Sequence, residues 1–202
     1  MSASLAELSL DVLRRAHIEL RSGLSDREIA RVEEVGRFQF TPDHRELLQL
    51  ALPTGERWPD WRGDTADQIA QRLSWPLLMF DHGFDWDVVT VDDYLQLRGK
   101  AGHIPVLVPI YSHRFTPAAP APSGSPVFSV YDSDIIHYGD DLLDYVSAEF
   151  LGSAGDRVDR TYVPFWTEFI DEEDYDPDSD ATRAFWAADK QEPSGGNPLT
   201  GN

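Results

Sequence analysis

The chain has 202 residues, a length that suits one folded domain, alone or with an appendage. Its 41% hydrophobic and 11% aromatic content supplies a sizeable core and excludes global disorder. It has no cysteine, so disulfides and cysteine-ligated metal sites are excluded. A formal net charge of −19 disfavours binding to nucleic acid or to an anionic membrane, and it either favours a basic partner or serves solubility alone.

The sequence predicts a cytoplasmic protein without membrane association. Its N-terminus lacks a basic segment followed by a continuous apolar run, which a signal peptide requires. No apolar run approaches the roughly 18 residues of a membrane helix.

The first hundred residues are predicted to be mainly helical. Apolar residues at near-helical spacing predict an amphipathic helix over residues 5–21, ended by Gly23. Ser25 followed by Glu28 is the signature of a capping box, which predicts a second helix that ends at Gly36.

Three further helices follow. Phe38 and Phe40 alternate in a short strand or extended link, after which Thr41 and Pro42 predict the start of a helix that Pro53 closes. The next helix, over residues 65–75, is predicted to present Ile69, Leu73 and Trp75 as its apolar face and to be interrupted by Pro76. Thr90 is predicted to cap the last of the three.

The second half predicts strands. Residues 104–115 are rich in β-branched and aromatic side chains and predict one strand, and residues 116–126 predict a long surface loop between two strands. Residues 127–139 predict a hairpin, and Asp140 and Asp141 precede a further helix. Helices followed by strands and a covering helix predict an α+β fold with an antiparallel sheet.

Known catalytic motifs are absent from the sequence. It contains no phosphate-binding loop, no dinucleotide fingerprint and no nucleophile elbow. Two clusters mix histidine with aspartate, one around Asp81 and His82 and the other over residues 132–140, but turn and cap roles account for these aspartates. We therefore expect no catalytic residue, no metal and no cofactor, and keep a hydrolase using Asp81 or His82 as the remote alternative.

The stretch "LPTGERWPDWRGDT", residues 52–65, is the strongest candidate for a binding loop, because it places Trp58 and Trp61 among turn-forming residues. Their spacing predicts that both indoles lie on one side and form one patch. Facing inward, the patch would clamp the loop to the core; facing outward beside Asp60 and Arg62, it would be an interface anchor.

Residues 168–180 are rich in Asp and Glu and contain no Lys or Arg. Such a run is a solvated face, a mobile tail or a mimic of nucleic acid toward a basic partner.

Several stretches together resemble the SUKH superfamily, which includes the yeast cell-wall-synthesis regulator and many bacterial toxin-immunity proteins. They are a capped helix, an F-x-F link, a Leu-rich helix and a loop with Gly and Trp, at residues 25–34, 38–42, 47–52 and 55–61. Downstream stretches within residues 105–170 are similar to the actinobacterial-type branch. The resemblance covers about residues 23–170 and implies an α+β domain there, with a central, largely antiparallel sheet flanked by helices. Outside it, hydrophobic spacing predicts an N-terminal helix within residues 1–22, and composition predicts an acidic, flexible tail over residues 171–202.

The resemblance also implies a protein-binding module without established catalytic residues. Bacterial relatives often bind and block a cognate toxin, so we expect an immunity-type protein with a protein partner such as a basic toxin domain. A regulatory or scaffold protein without a toxin partner is the alternative. The candidate partner-binding residues lie in the 52–65 loop and the hairpin: Trp58, Asp60, Trp61, Arg62, Tyr131, Asp134 and Tyr138. Tyr131 and Tyr138 have cross-strand packing as their alternative role.

Overall fold

The computed structural model describes residues 3–78, 89–102, 104–131, 134–153 and 160–171, with the isolated residues 180 and 183. Within these ranges the chain forms seven helices and two antiparallel sheets, which confirms the predicted α+β class and helical N-terminal half. The helices are α1 Leu5–Arg15, α2 Asp26–Gly36, α3 Pro42–Leu50, α4 Ala66–Leu78, α5 Val91–Lys100, α6 Leu142–Leu151 and α7 Trp166–Asp171. The strands are β1 Leu20–Ser22, β2 Ala51–Pro53, β3 Leu107–Tyr111, β4 Arg114–Pro117, β5 Val127–Tyr131 and β6 Asp134–Gly139.

The larger sheet is a meander of two consecutive hairpins, in the order β3-β4-β5-β6, and the smaller one pairs β1 with β2. The predicted β5–β6 hairpin is confirmed. The single strand predicted over residues 104–115 is wrong, because the chain turns at Ser112 and His113 and pairs β3 with β4. Ser112 has φ near +50°, a left-handed conformation that places the turn inside an otherwise strand-like run.

The predicted helix starts are confirmed where a local cap defines them. Ser25 and Glu28 form the expected capping box at α2, and Thr90 forms one with Asp93 at α5. Both pairs satisfy backbone N–H groups that a helix start leaves without partners. Pro42 lies in the first turn of α3, where its missing N–H costs nothing.

Three predicted helix boundaries are wrong. Helix α3 ends at Leu50 and does not continue to Pro53, because Ala51–Pro53 forms β2. The first helix ends at Arg15 instead of near residue 21, because β1 pairs with β2 and takes residues 20–22 into the small sheet. Helix α4 continues past Pro76 to Leu78. Pro76 lacks the N–H that would bond the carbonyl of Arg72, so this turn of α4 is retained without one of its helix hydrogen bonds.

The four-stranded sheet is buried on both faces, which places it between two layers of helices. Val108, Phe128 and Val130 pack in a cluster with residues of α2, α4, α5 and α7. Ile110 and Val127 pack in a second cluster with residues of α1, α3 and α6. Because α1 shares its core with α6, the predicted N-terminal helix packs against the sheet domain.

The Pro- and Ala-rich segment between β4 and β5 is a connection, as predicted, but it is held by buried contacts. Ala118, Ala121 and Ser125 are buried, and the Ala119–Pro120 peptide is cis. The buried carboxylate of Asp43 accepts hydrogen bonds from the Ser123 hydroxyl and the Gly124 backbone N–H, both at 2.6 Å. The carboxylate thereby fixes the segment to α3.

Candidate functional site

Both tryptophans of the 52–65 loop are buried, with 7% of Trp58 and 1% of Trp61 exposed. The Trp58 ring stacks on Phe150 at 5.6 Å between centroids, and the Trp61 ring meets Phe40 edge-on at 5.6 Å. The inward orientation expected for a clamp is therefore the one observed. The two indoles belong to different core clusters, so the prediction of one shared patch is wrong.

A hydrogen-bonded turn over residues 60–64 holds the backbone around Trp61. Asp60 accepts backbone hydrogen bonds from Gly63 and Asp64 at its carbonyl, and its carboxylate accepts a further one from the Gly63 N–H at 3.0 Å. Asp60 is itself exposed.

Arg62 fixes the loop to the start of α2. Its guanidinium donates to Glu28 at 2.5 Å and to the carbonyls of Ser22 and Gly23 at 3.2 and 2.9 Å. The hydrogen bond from Arg62 lowers the pKa of Glu28 from 4.5 to about 2. Arg62 therefore has a structural role that occupies most of its donors.

The hairpin candidates differ in exposure. Tyr131, at the end of β5, is 63% exposed, and Asp134 lies opposite it in register and is also exposed. Tyr138 is half-buried under the Arg114 guanidinium, which lies 3.7 Å from its ring centroid. Asp132 lies outside the described residues, as do Asp81 and His82 of the remote hydrolase hypothesis.

One open groove brings the two regions of candidates together. It has a volume of about 510 Å³ and lies between the outer face of α4, the β3–β4 turn, the end of β5 and the 52–65 loop. We call it the α4 groove. Its described lining residues are Arg57, Pro59, Gln68, Gln71, Arg72, Trp75, Pro109, Ser112, His113, Phe115 and Tyr131.

Helix α4 supplies one wall of the groove. Gln68, Gln71, Arg72 and Trp75 follow the i, i+3, i+4, i+7 spacing of a single helix face. Trp75 is 47% exposed, so its predicted place on the apolar face beside Leu73 is wrong. The buried face of α4 is built instead by residues that include Ile69, Ala70, Leu73 and Leu77.

The end of the sheet supplies the opposite wall. The Trp75 indole N–H donates to the Val130 carbonyl at 3.4 Å, a long hydrogen bond that places Trp75 next to Tyr131. The His113 ring meets the Tyr131 ring edge-on at 5.5 Å between centroids. These contacts form an aromatic shelf, made of Trp75, Tyr131 and His113.

Arg57 brings the 52–65 loop to the groove. Its carbonyl accepts from the Ser112 N–H at 2.7 Å, and the neighbouring Trp58 N–H donates to Gly55. These bonds fix its backbone against the β3–β4 turn, while the side chain makes no ion pair with any described residue. Arg72, in contrast, is paired with the buried Asp64 at 2.6 Å.

The polar groups of the groove are mostly hydrogen-bond donors. The lining residues carry two guanidinium groups, two amides, two hydroxyls, an indole N–H and an imidazole, and no described lining residue is acidic. Burial and the nearby Arg114 charge lower the pKa of His113, so its ring is neutral at pH 7. The groove is thus a donor-rich site on a strongly acidic chain.

Sequence reasoning missed Trp75 because it assigned this residue to the core. A signal was available, since at 3.6 residues per turn position 75 lies roughly 200° around the helix from position 73. The same arithmetic groups Trp75 with Gln68, Gln71 and Arg72. The proximity of this face to Tyr131 depends on long-range packing, which no local pattern encodes.

No protein-family model matches the chain, and comparison with curated proteins and with solved structures gives no similar protein. Within the described ranges, no three His, Asp or Glu side chains cluster closely enough to hold a metal ion. No helix in the described part of the chain has the length and apolar character of a membrane span.

Proposed function

We propose that the protein is a non-enzymatic binding module that engages a protein partner through the α4 groove. One observation carries the proposal: among the large hydrophobic side chains of the described residues, Tyr131 and Trp75 are the two most exposed, and both line this groove. Exposed tryptophan and tyrosine beside arginine are the residue types that dominate binding energy at protein interfaces. A monomer gains nothing in stability by leaving these rings in water.

We further propose that the partner is a toxin and that the protein is an immunity-type inhibitor inside the cell. The support is the resemblance of residues 23–170 to the SUKH superfamily and the net charge of −19, which would speed encounter with a basic toxin domain. Acidic surface around the groove would steer the partner, and the groove would hold it. A regulatory or scaffold partner remains the second candidate, because the residues of the groove favour protein binding but do not identify the partner.

Neutralisation assays test both parts of the proposal. The chain is co-expressed with toxin domains encoded beside its gene, and growth and complex formation are measured for the native chain, Trp75→Ala and Tyr131→Ala. Leu50→Ala is the matched control, because Leu50 is 42% exposed on α3 and does not line the groove. We expect rescue by the native chain and the control, and at least tenfold weaker binding by each groove variant.

Three outcomes separate the hypotheses. If no toxin domain is bound or neutralised but cross-linking in the host captures a housekeeping protein at Trp75, the regulatory function replaces the immunity function. If a partner binds the groove variants as tightly as the native chain, the groove is not the binding surface. A hydrolase activity that survives Trp75→Ala and disappears with His82→Ala would overturn the proposal of a non-enzymatic module.

A further inference from the structure

The α4 groove carries an uncommitted positive charge in a chain whose net charge is strongly negative. Arg57 makes no ion pair with any described residue, although the chain has more than twice as many acidic as basic residues. Its backbone is fixed by the hydrogen bond from Ser112, which holds the base of this flexible side chain at the rim of the groove. A guanidinium held in this way is suited to a carboxylate, which it can bind with two parallel hydrogen bonds.

The remaining polar groups favour the same kind of ligand. Gln68 accepts from the Thr65 N–H through its amide oxygen at 2.8 Å, so its NH₂ group is the part left to donate. Gln71 is exposed on the same face of α4. Arg72 keeps donors beyond the one that bonds Asp64 at 2.6 Å. A ligand that supplies acceptors satisfies these groups, whereas a cationic side chain would meet two guanidinium groups.

The aromatic shelf defines the second part of the ligand. Trp75 and Tyr131 expose ring surface next to each other, and His113, which is neutral at pH 7, extends that surface without adding charge. An aromatic ring of the ligand would pack on the exposed rings of Trp75 and Tyr131 in offset or edge-on contact. Such contacts stabilise aromatic pairs beyond the effect of their buried area.

We propose that the α4 groove binds a segment of the protein partner in which an aromatic side chain is followed by a carboxylate, with the ring on the aromatic shelf and the carboxylate on Arg57. This inference rests on the proposed function, because it specifies the partner surface that the groove recognises. It does not conflict with a basic partner, since one carboxylate in the contact leaves the rest of that partner free to face the acidic surface. At physiological salt, charges beyond about 8 Å are largely screened. The charged groups within the groove therefore decide whether it prefers an acidic or a basic segment of the partner.

A matched pair of peptides tests the inference. Acetyl-Phe-Asp-amide and acetyl-Phe-Asn-amide differ only in the charge of one side chain, and their binding is followed by NMR at the Trp75 indole N–H. This signal is assigned by its loss in Trp75→Phe. We expect the Asp peptide to bind about three- to fivefold more tightly at low salt, a preference that decreases as salt is added.

Substitutions test whether Arg57 causes the preference for the Asp peptide. Arg57→Gln is expected to remove the preference for Asp, so that the two peptides bind equally. Arg15→Gln is the matched control, because it removes the same charge from an exposed position of α1 outside the groove. Trp75→Ala is expected to weaken both peptides equally, as the ring contact is common to them.

The inference is overturned by any of four results: equal binding of the two peptides, equal effects of Arg57→Gln and Arg15→Gln, binding of neither peptide up to its solubility limit, or tighter binding of adenosine monophosphate than of the Asp peptide. The last result would indicate a nucleotide ligand. Loss of the partner in Trp75→Ala without any preference for Asp leaves the proposed function intact and rejects only this inference. A preference for Asp with unchanged partner binding in Trp75→Ala rejects the proposed function instead.

Discussion

The tryptophans of the 52–65 loop and the tryptophan of α4 form the most informative contrast in the molecule. Trp58 and Trp61 lie among turn-forming residues, as an exposed binding loop would place them, yet they are buried. Trp75 lies in a helix beside core residues, as a buried side chain would, yet nearly half of its surface is exposed. Local sequence context leaves the orientation of Trp58 and Trp61 open and misassigns Trp75, and the contacts of all three across the fold decide their roles.

The largest expected effect is the loss of stability in Trp61→Ala. This side chain is fully buried against Phe40 and the main core cluster, so its removal leaves a cavity and should lower the free energy of unfolding by about 3–5 kcal/mol. Chemical denaturation of this variant and of Trp75→Ala measures the contrast directly. Equal losses for the two variants would contradict the assignment of Trp61 to the core and Trp75 to the surface.

The next largest expected effect is the pH dependence of stability that His44 causes. The His44 ring is buried and contacts the Phe40 ring edge-on. Burial lowers the pKa of His44 from 6.5 to about 3, so the unfolded chain takes up a proton below pH 6.5 that the folded chain does not. The contribution of His44 to stability is complete above pH 6.5 and is lost as pH falls toward 3. The loss at pH 5.5 is on the order of 1 kcal/mol.

His44→Phe is expected to remove this part of the pH dependence, measured as the difference in unfolding free energy between pH 7.5 and pH 5.5. His17→Asn is the control, because His17 is exposed and Asn tolerates its left-handed backbone at φ 58°. A pH dependence that is unchanged in His44→Phe would show that His44 titrates normally in the folded chain.

Arg62 and Arg57 give a smaller contrast within the same loop. Arg62→Met removes the bonds to Glu28 and to the carbonyls of Ser22 and Gly23, and should cost about 1 kcal/mol of stability. Arg57→Met should leave stability within about 0.5 kcal/mol, because the Arg57 side chain makes no ion pair with a described residue. Thermal unfolding of the two variants tests whether Arg62 stabilises the fold and Arg57 does not.

Glu28 extends this test to low pH. Because its pKa in the folded chain is about 2, the stability that Glu28 contributes is present above its ordinary value of 4.5 and is lost as pH falls toward 2. In the Arg62→Met background Glu28 contributes less stability, so the loss between pH 4.5 and pH 2 should be smaller than in the native chain. Identical acid profiles for the two chains would show that Arg62 is not the cause of the lowered pKa.

Trp75→Ala is also expected to change stability little, by about 0.5–1 kcal/mol, since half of this side chain is already in water. Its effect on partner binding is expected to be large by comparison. The reverse pattern in Trp58→Ala, a loss of stability with retained binding of the partner by the folded fraction, would complete the contrast. A Trp75 variant that unfolds readily and binds normally would reverse the roles assigned here.

Features that depend on neighbouring residues could be predicted from the sequence. The capping pairs at Ser25 and Thr90 involve contacts three residues apart, and the paired strands β5 and β6 are separated by only two residues of sequence. The pairing of β1 with β2 could not be predicted, since it joins three-residue strands separated by two helices. Strands this short have no period of their own to detect.

The residues of the candidate site also differ in whether the sequence could predict them. Tyr131 was identified because it ends a clear strand, and it does line the groove. Trp75 was missed and Trp58 was favoured, because exposure depends on which elements pack together, not on the residues beside each tryptophan. Arg57 had no local signal, since its role depends on the hydrogen bond between its carbonyl and Ser112, which lies in a distant turn.

The contact of Asp43 with residues 123 and 124 matters for handling the protein. The Pro-, Ala- and Ser-rich segment between β4 and β5 resembles the places where engineers insert an epitope tag, cut a chain for circular permutation or attach a label. Because Asp43 is buried and binds this segment with both carboxylate oxygens, an insertion there would strip a carboxylate of its partners inside the protein. Tags and reporters are better attached elsewhere.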